Sequence, residues 1–238
     1  MRSVALYRVL KESRATLELE ELDFVCQESL LFAEEAHVRI EKLRNKDTDK
    51  AIDFAVTGMH FDAYLDSPLL QHLYGRYFWY LESHRATQVI AAYEGDELVG
   101  VLLADLEGER PQGLPWHKSL YVTFVDLVQK LFFKESAGLY VEANQAMLDA
   151  LRSRCNLDGE ITFLAANPDM KMKGIGTFLL EELQRRERGK RVYLFTDDFC
   201  TYQFYEHRGF ERAGERQEEL DMHGRKVPIL CLLYTRVL

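Results

Sequence analysis

The order of hydrophobic and polar positions between residues 159 and 189 predicts a strand, a turn and a helix in succession. Because side chains alternate between the two faces of a strand, Ile161, Phe163 and Ala165 are expected to share one face. The sequence Asn-Pro-Asp at residues 167–169 is a turn signal that ends this strand. Apolar residues at helical spacing then predict a helix that Gly189 would end: Ile175, Phe178, Leu179 and Leu183.

The same pattern predicts six further strands and short connections between them. A hairpin is indicated where two apolar runs flank a turn that contains Gly95 and Asp96. The six strands are predicted at residues 37–43, 88–93, 98–106 and 191–196, from residue 211 onward, and at 227–238. A short helix is predicted at residues 201–207. Strands and helices alternate without repeats, which is typical of an α+β domain built around one sheet.

Two helices are predicted between the first and second strands. One covers residues 51–64, and the other starts at Ser67, with Pro68 in its first turn. The apolar positions of the second helix predict the face that packs on the sheet: Leu69, Leu70, Leu73, Tyr74, Tyr77 and Leu81. Phe78, Trp79 and Tyr80 add aromatic side chains that either pack between helices or line a pocket.

Two segments stand apart from this plan. Residues 1–36 carry an amphipathic helical pattern and are predicted to be an N-terminal helical extension without chemistry of its own. Residues 110–158 contain two further apolar stripes and predict a helical insertion. This insertion is expected either to cover a substrate site or to form the surface of a homodimer. The stripes are Leu120, Phe124, Leu127, Val128, Leu131 and Phe132, then Tyr140, Ala143, Met147, Leu148 and Leu151.

Charge narrows the choice of partners. The chain has 238 residues, of which 30 are basic and 39 acidic, so its formal net charge is −9. An acidic chain without a basic cluster is a poor candidate for binding nucleic acid. It is better suited to attract a cationic small molecule or a basic partner.

The cysteines and histidines predict no metal site. Cys26, Cys155, Cys200 and Cys231 are scattered without CxxC spacing, and the histidines are isolated from one another. Reduced cysteines indicate a cytoplasmic protein. No signal-peptide pattern and no apolar run of membrane-spanning length is present in the sequence, so no membrane association is expected.

The turn before the helix at residue 175 has the features of an anion site. The first N–H groups of a helix have no partner within the helix, and the helix dipole favours negative charge there. Gly174 and Gly176 would let a phosphate approach the backbone, and Lys171 and Lys173 add positive charge. The alternative is a turn that happens to contain two glycines.

Two motifs together resemble the GNAT superfamily of N-acetyltransferases. Pro168-x-x-Lys171-x-x-Gly174-x-Gly176 is similar to the loop that binds the pyrophosphate of acyl-CoA in that family. Residues 204–210, Phe-Tyr-Glu-His-Arg-Gly-Phe, resemble its FYE-x-x-GF signature. The resemblance covers residues 37–238. It implies a mixed, mainly antiparallel sheet flanked by helices on both faces, here with the helical insertion between strands three and four.

The resemblance also implies acetyl-CoA as cosubstrate and a set of residues that bind it. Two of them depart from the family pattern. Lys171 stands where the family prefers Gln or Arg, and Asp198 stands where many members carry an asparagine that contacts the pantetheine arm. The implied residues are Leu164, Ala165, Ala166, Lys171, Met172, Lys173, Gly174, Ile175, Gly176, Thr177 and Asp198.

Acetyl transfer to an amine requires a base for the ammonium and a donor for the leaving thiolate. Glu160 is the candidate base, because it begins the strand that leads to the loop and matches the family's catalytic glutamate in its distance from Gly174. Tyr205 of the FYE motif is the candidate acid. The predicted function is acetyl transfer to a primary amine of a small molecule. Alternatives are a catalytically decayed acyl-CoA-binding domain and a nucleotide-phosphate binder.

Overall fold

The computed structural model describes residues 38–65, 67–111, 113, 115–116, 118–123, 125, 136–167, 174–222 and 225–238. The predicted extension at residues 1–36 and the loop at residues 168–173 lie outside this range. The strands are β1 Val38–Glu41, β2 Gln88–Glu94, β3 Glu97–Leu106, β4 Gly159–Ala166, β5 Arg191–Asp197, β6 Glu211–Met222 and β7 Arg225–Val237. The helices are α1 Thr48–Gly58, α2 Phe61–Tyr64, α3 Pro68–Arg85, α4 Ser136–Arg152, α5 Ile175–Arg186 and α6 Gln203–Glu206.

The strands form one sheet of seven, in the order β1-β2-β3-β4-β5-β7-β6. Every neighbouring pair is antiparallel except β4 and β5, which are parallel. Helices cover both faces. The predicted α+β class and the mainly antiparallel sheet are therefore confirmed.

Three hydrophobic clusters show which helix covers which part of the sheet. On one face, α5 packs Ile175, Leu179 and Leu183 against the central strands. On the other face, α1 and α3 cover β3 and β4, with Phe54 and Trp79 in the cluster. Farther along that same face, α4 packs on β6 and β7. On this face, the area covered by α3 therefore ends, and the area covered by α4 begins, near β4 and β5.

A β-bulge in β4 changes the face on which its side chains lie. Phe163 pairs with Leu103 and Ile161 pairs with Ala104, so Thr162 is left without an opposite residue. An extra residue in one strand shifts the alternation of faces that follows it. Ile161 accordingly packs on the α5 side, whereas Phe163 and Ala165 pack on the α1 and α3 side. The prediction that these three residues share a face is wrong.

Of the six residues predicted to form the apolar face of α3, only Tyr77 is buried. Leu69 and Leu70 are 67% and 51% exposed, and the residues that α3 buries are Gly75, Tyr77, Trp79 and Glu82. Gly75 explains the difference. A Cβ at this position would lie 2.5 Å from Cγ2 of Val56 in α1, so the missing side chain allows the two helices to meet there.

The second helix of the predicted insertion belongs to the core. Four of its predicted apolar residues are buried against Ile229, Cys231 and Leu233 of β7: Ala143, Met147, Leu148 and Leu151. In the first predicted helix, Leu120 is 59% exposed. The other five residues of that stripe lie outside the described residues.

The contact between β3 and the start of α5 is tested by Gly100→Ala. The added Cβ would lie 2.6 Å from Cγ2 of Ile175 and 3.2 Å from the carbonyl oxygen of Ala165. Overpacking of this kind costs about 1–3 kcal/mol. We expect urea unfolding to show a loss of stability of that size.

Gly58→Ala is the matched control, because its added Cβ would meet Cβ of Ala165 at an ordinary 3.4 Å. This variant should be neutral or slightly stabilising, since alanine is the better helix former. Equal stability of both variants would contradict the close packing at Gly100.

Candidate active site

The parallel strands β4 and β5 separate after two residue pairs. Gly159 pairs with Val192 and Glu160 pairs with Tyr193, and no pairing continues beyond them. β4 nevertheless runs on to Ala166, and β5 to Asp197. The facing edges from residue 161 onward therefore carry backbone groups outside the ladder, and such groups require other partners. The predicted cosubstrate residues Leu164, Ala165 and Ala166 lie on this edge of β4.

The N-terminus of α5 lies beyond the end of β4. Gly174 precedes the helix with a φ of +94°, a conformation that favours glycine. Gly176 has a packing function that the sequence did not reveal, because a Cβ there would lie 2.9 Å from the Phe204 ring. Ile175 is buried in the core rather than directed to a ligand. Lys171, Met172 and Lys173 lie outside the described residues.

Arg208 joins the two sequence motifs. Its Nε donates a hydrogen bond of 2.7 Å to Oγ1 of the buried Thr177, and its Nη2 bonds the same oxygen. The guanidinium carbon lies 3.8 Å from the centre of the Phe204 ring. The N-terminus of a helix carries partial positive charge, so a cation beside the first turn is repelled. A bound anion would neutralise the positive charge of both the cation and the helix end. Sequence analysis missed Arg208, although it lies inside the FYE motif.

Tyr205 is held by aromatic packing. Its ring lies 5.2 Å from the ring of Phe204 and 5.6 Å from that of Phe210. Part of the side chain is exposed, but burial of the hydroxyl raises its pKa, and a charge on the Cys200 sulfur would raise it further. The phenol is therefore neutral at physiological pH. Burial also raises the pKa of Cys200 to about 12, which excludes its thiolate as a nucleophile at neutral pH.

Asp198 lies at the end of β5, where it is exposed. Its Oδ1 accepts a hydrogen bond of 2.9 Å from the backbone N–H of Leu230. The carboxylate thus connects this loop to β7. Its predicted contact with a pantetheine arm stays a prediction.

Glu160 lies where β4 and β5 separate, on the face covered by α3. Arg85, the last residue of α3, donates a hydrogen bond from Nη2 to Oε2 of Glu160. The Tyr193 hydroxyl donates a second, longer bond of 3.4 Å to the same oxygen. Burial raises the pKa of Glu160, and the charge and hydrogen bond of Arg85 oppose that rise. Burial, followed by the Glu160 charge, raises the pKa of Tyr193 to about 12, so its hydroxyl stays a donor.

Two more carboxylates surround the same guanidinium. Arg85 Nε lies 3.3 Å from Oε2 of Glu82 and 3.9 Å from Oδ2 of Asp105. Glu82 is only 9% exposed, and burial raises its pKa to about 7. Sequence analysis missed this cluster. A signal was present, since Gly75, Trp79 and Glu82 follow one another at the i, i+4, i+7 spacing of one helix face.

The sequence model of the Acetyltransferase (GNAT) family matches residues 55–210, from α1 to the end of the FYE motif. The chain belongs to the GNAT acetyltransferase family. This match confirms the resemblance and the enzyme class predicted from the two motifs. GNAT acetyltransferases are acyltransferases that use acetyl-CoA. No curated protein matches the sequence of this chain.

Solved structures show the same fold at low sequence identity. Arylalkylamine N-acetyltransferase 2 from Aedes aegypti is 20% identical, covers 84% of this chain and 98% of its own, and has a TM-score of 0.54. The polyamine N-acetyltransferase of Drosophila melanogaster, which forms N-acetylagmatine, is 14% identical and has a TM-score of 0.51. Its match covers 84% of this chain and 100% of its own. A Corynebacterium glutamicum protein described as histone acetyltransferase HPA2 and related acetyltransferase is 16% identical and has a TM-score of 0.51. Its match covers 82% of this chain and 94% of its own.

The described part of this GNAT chain contains neither a membrane-spanning helix nor a group of metal ligands. None of its helices combines the length and apolar character needed to cross a membrane. Within the same residues, no three His, Cys, Asp or Glu side chains are grouped so that they could hold a metal ion.

Glu82 is expected to make the stability of this GNAT domain depend on pH. Its pKa of about 7 in the folded chain lies above the ordinary value of 4.5, so the folded state holds a proton that the unfolded state has released. Stability contributed by this group therefore falls as pH rises from 4.5 to 7. Glu82→Gln is neutral at every pH and lacks this loss.

The variant should gain stability relative to the native chain as pH rises through this window. At roughly 1.4 kcal/mol per pKa unit, the gain amounts to at most about 3 kcal/mol. Urea unfolding of both proteins between pH 5 and pH 8.5 measures it. A stability difference that stays constant across that range would contradict the raised pKa.

Proposed function

We propose that this GNAT acetyltransferase transfers the acetyl group of acetyl-CoA to a primary amine of a small molecule. The observation that carries the proposal is the position of Glu160. This partly buried carboxylate lies at the point where β4 and β5 separate, among further acidic groups.

The open edges of β4 and β5 support binding of the acyl donor. The pantetheine arm of acetyl-CoA contains amide groups, which can pair with the backbone groups left outside the ladder. At the end of this gap, the N-terminus of α5 offers unpaired N–H groups to the pyrophosphate, with Gly174 at the entry to the helix. We propose Arg208 as an additional source of positive charge there.

The acidic cluster supports a cationic acceptor. Glu82, Asp105 and Glu160 surround one guanidinium, so three carboxyl groups face one permanent cation. Buried negative charge attracts an ammonium group. Aromatic side chains lie on the same face. The centre of the Phe163 ring is 5.6 Å from that of the Phe78 ring and 6.3 Å from that of the Trp79 ring. Two structural neighbours are named as acetyltransferases of small amines, one of polyamines and one of arylalkylamines, which agrees with this class of acceptor.

Glu160 acts as the general base in this proposal, directly or through water. It takes a proton from the acceptor nitrogen, and the nitrogen attacks the thioester carbonyl as the C–S bond breaks. Tyr205, a neutral phenol, gives a proton to the leaving thiolate. After the attack the nitrogen carries a second proton that the amide cannot keep, and this proton reaches the tyrosinate through water. Glu160 releases the first proton to solvent, so the enzyme ends the cycle with the protons it began with. A cytoplasmic location and a homodimer remain predictions from the sequence.

A panel of primary amines tests the function. Free-thiol release from acetyl-CoA should be observed with at least one small amine and not with alcohols of the same shape. Calorimetry with acetyl-CoA, CoA and ATP separates the alternatives. Binding of CoA without turnover of any amine would favour the decayed domain, and binding of ATP alone would favour the nucleotide binder.

Glu160→Gln tests the base. Loss of a general base lowers turnover by about 10²-fold or more. We expect kcat at neutral pH to fall by that amount, while the Kd of acetyl-CoA, measured by calorimetry, stays nearly unchanged because the carboxylate faces the acceptor. Unchanged kcat, or equal losses in kcat and in acetyl-CoA affinity, would remove Glu160 from the mechanism.

Tyr205→Phe tests the acid. The ring and its contacts with Phe204 and Phe210 are retained, so the Kd of CoA should be unchanged while kcat falls by about 10-fold or more. An acetylated donor whose leaving thiol has a lower pKa should recover part of the rate, because it needs less proton donation. Full activity of the variant with acetyl-CoA would assign Tyr205 to packing alone.

A further inference from the structure

Arg85 lies between the buried carboxyl of Glu82 and the partly buried carboxylate of Glu160, which come from different elements. It bonds Glu160 of β4 through Nη2, and its Nε lies 3.3 Å from Oε2 of Glu82, one turn earlier in α3. Within the described residues, Glu82 Oε2 and Arg85 Nε are both buried without a hydrogen bond of good geometry. The Thr162 hydroxyl lies beside Glu82 and lowers the pKa of that carboxyl, but by less than burial raises it. Between Glu82 and Arg85 there is charge attraction without a hydrogen bond of good geometry.

Charge balance then decides how protons are distributed. The Arg85 guanidinium neutralises one carboxylate. A second ionised carboxylate at Glu82, which is only 9% exposed, would lack both a cation of its own and full hydration. Glu160 has hydrogen bonds from Arg85 and Tyr193, which stabilise its ionised form. Glu82 has only the Thr162 contact, and burial outweighs it, so the neutral form of Glu82 is favoured. In the empty site Glu82 therefore holds the proton, and the trio of Glu82, Arg85 and Glu160 is neutral.

A cationic acceptor changes this balance. An ammonium group beside Glu160 becomes a second cation for that carboxylate, and Arg85 is then available to Glu82, whose oxygen is already 3.3 Å from Nε. If Glu82 loses its proton at that moment, two carboxylates face two cations, and the site is neutral again. We propose that Glu82 is a specificity-determining residue, whose buried carboxyl releases its proton when a cationic acceptor binds beside Glu160. The inference rests on the proposed function, since it needs Glu160 in the acceptor site.

The other charged groups around Glu82 do not replace it in this role. Asp105 of β3 lies farther from the same Nε, at 3.9 Å, and its side chain is 42% exposed against 11% for that of Glu82. Water can therefore solvate ionised Asp105 whether or not an acceptor is bound, so burial does not favour its neutral form. Tyr193 of β5 is neutral. Arg152 of α4 acts on Tyr193, where it lowers the pKa less than burial raises it.

The test uses cations whose own charge does not depend on pH. Phenethyltrimethylammonium and choline are measured as inhibitors competitive with the amine, with 3,3-dimethylbutan-1-ol as a neutral counterpart of choline. Coupled release of one proton strengthens binding by up to about tenfold per pH unit below the ionisation of Glu82. For the native enzyme we expect the inhibition constant of the cations to fall on the order of tenfold between pH 6 and pH 8. The neutral alcohol should show no such change.

Glu82→Gln should remove this pH dependence, because an amide has no proton to release. Glu187→Gln is the matched control. Glu187 is 8% exposed and paired with Lys190 at 2.8 Å, but it lies at the end of α5 on the opposite face of the sheet. This control should keep the native pH dependence. A pH dependence that is the same in Glu82→Gln and the native enzyme, or no binding of either cation, would overturn the inference.

Calorimetry of the native enzyme gives a readout that requires no variant. Titration of phenethyltrimethylammonium at pH 7, in buffers of different protonation enthalpy, should show release of about half a proton per cation bound, as expected for a group that is half ionised. No proton release would also overturn the inference. The proposed function fails separately, through an inactive amine panel or a fully active Glu160→Gln variant.

Discussion

The short pairing of β4 with β5 is the constraint on which the candidate site depends. Gly159 begins β4 so close to β3 that a Cβ there would lie 2.5 Å from the carbonyl oxygen of Asp105. β4 therefore starts fixed against β3 and beside β5, and the bulge at Thr162 then bends it. Bulges increase the twist of a strand and interrupt pairing. The separation of the two strands opens the backbone edges and leaves Glu160 at the point where the gap begins.

The contact between α5 and α6 explains why two distant motifs belong together. Gly176 admits the Phe204 ring, and Thr177 accepts hydrogen bonds from Arg208. The loop that precedes α5 and the FYE motif are thus held by one set of contacts. This arrangement fixes Tyr205 relative to the N-terminus of α5, where the proposed acetyl-CoA site begins.

The electrostatics of the site differ from those of the surface. Glu182 of α5 pairs with Arg185 and Arg186, which lie on its own helix, and such exposed pairs contribute little to stability. At Glu182 two cations face one carboxylate, whereas at Arg85 three carboxyl groups face one cation, and Glu82 among them is buried. Buried groups with shifted pKa values are concentrated at functional sites. The cluster connects the packing of α3 to the chemistry proposed at Glu160.

The sequence determined the strands, the hairpin at Gly95, the helix after Gly174 and the family, because periodicity and turn residues are local properties. It also brought Glu160 and Tyr205 to attention through their spacing within motifs. Only the tertiary structure decided which way these elements face. The bulge at Thr162 depends on pairing with β3, and the buried face of α3 depends on the approach of Val56 to Gly75. Arg85 and Glu160 lie 75 positions apart in the sequence, and no local pattern encodes a contact of that kind.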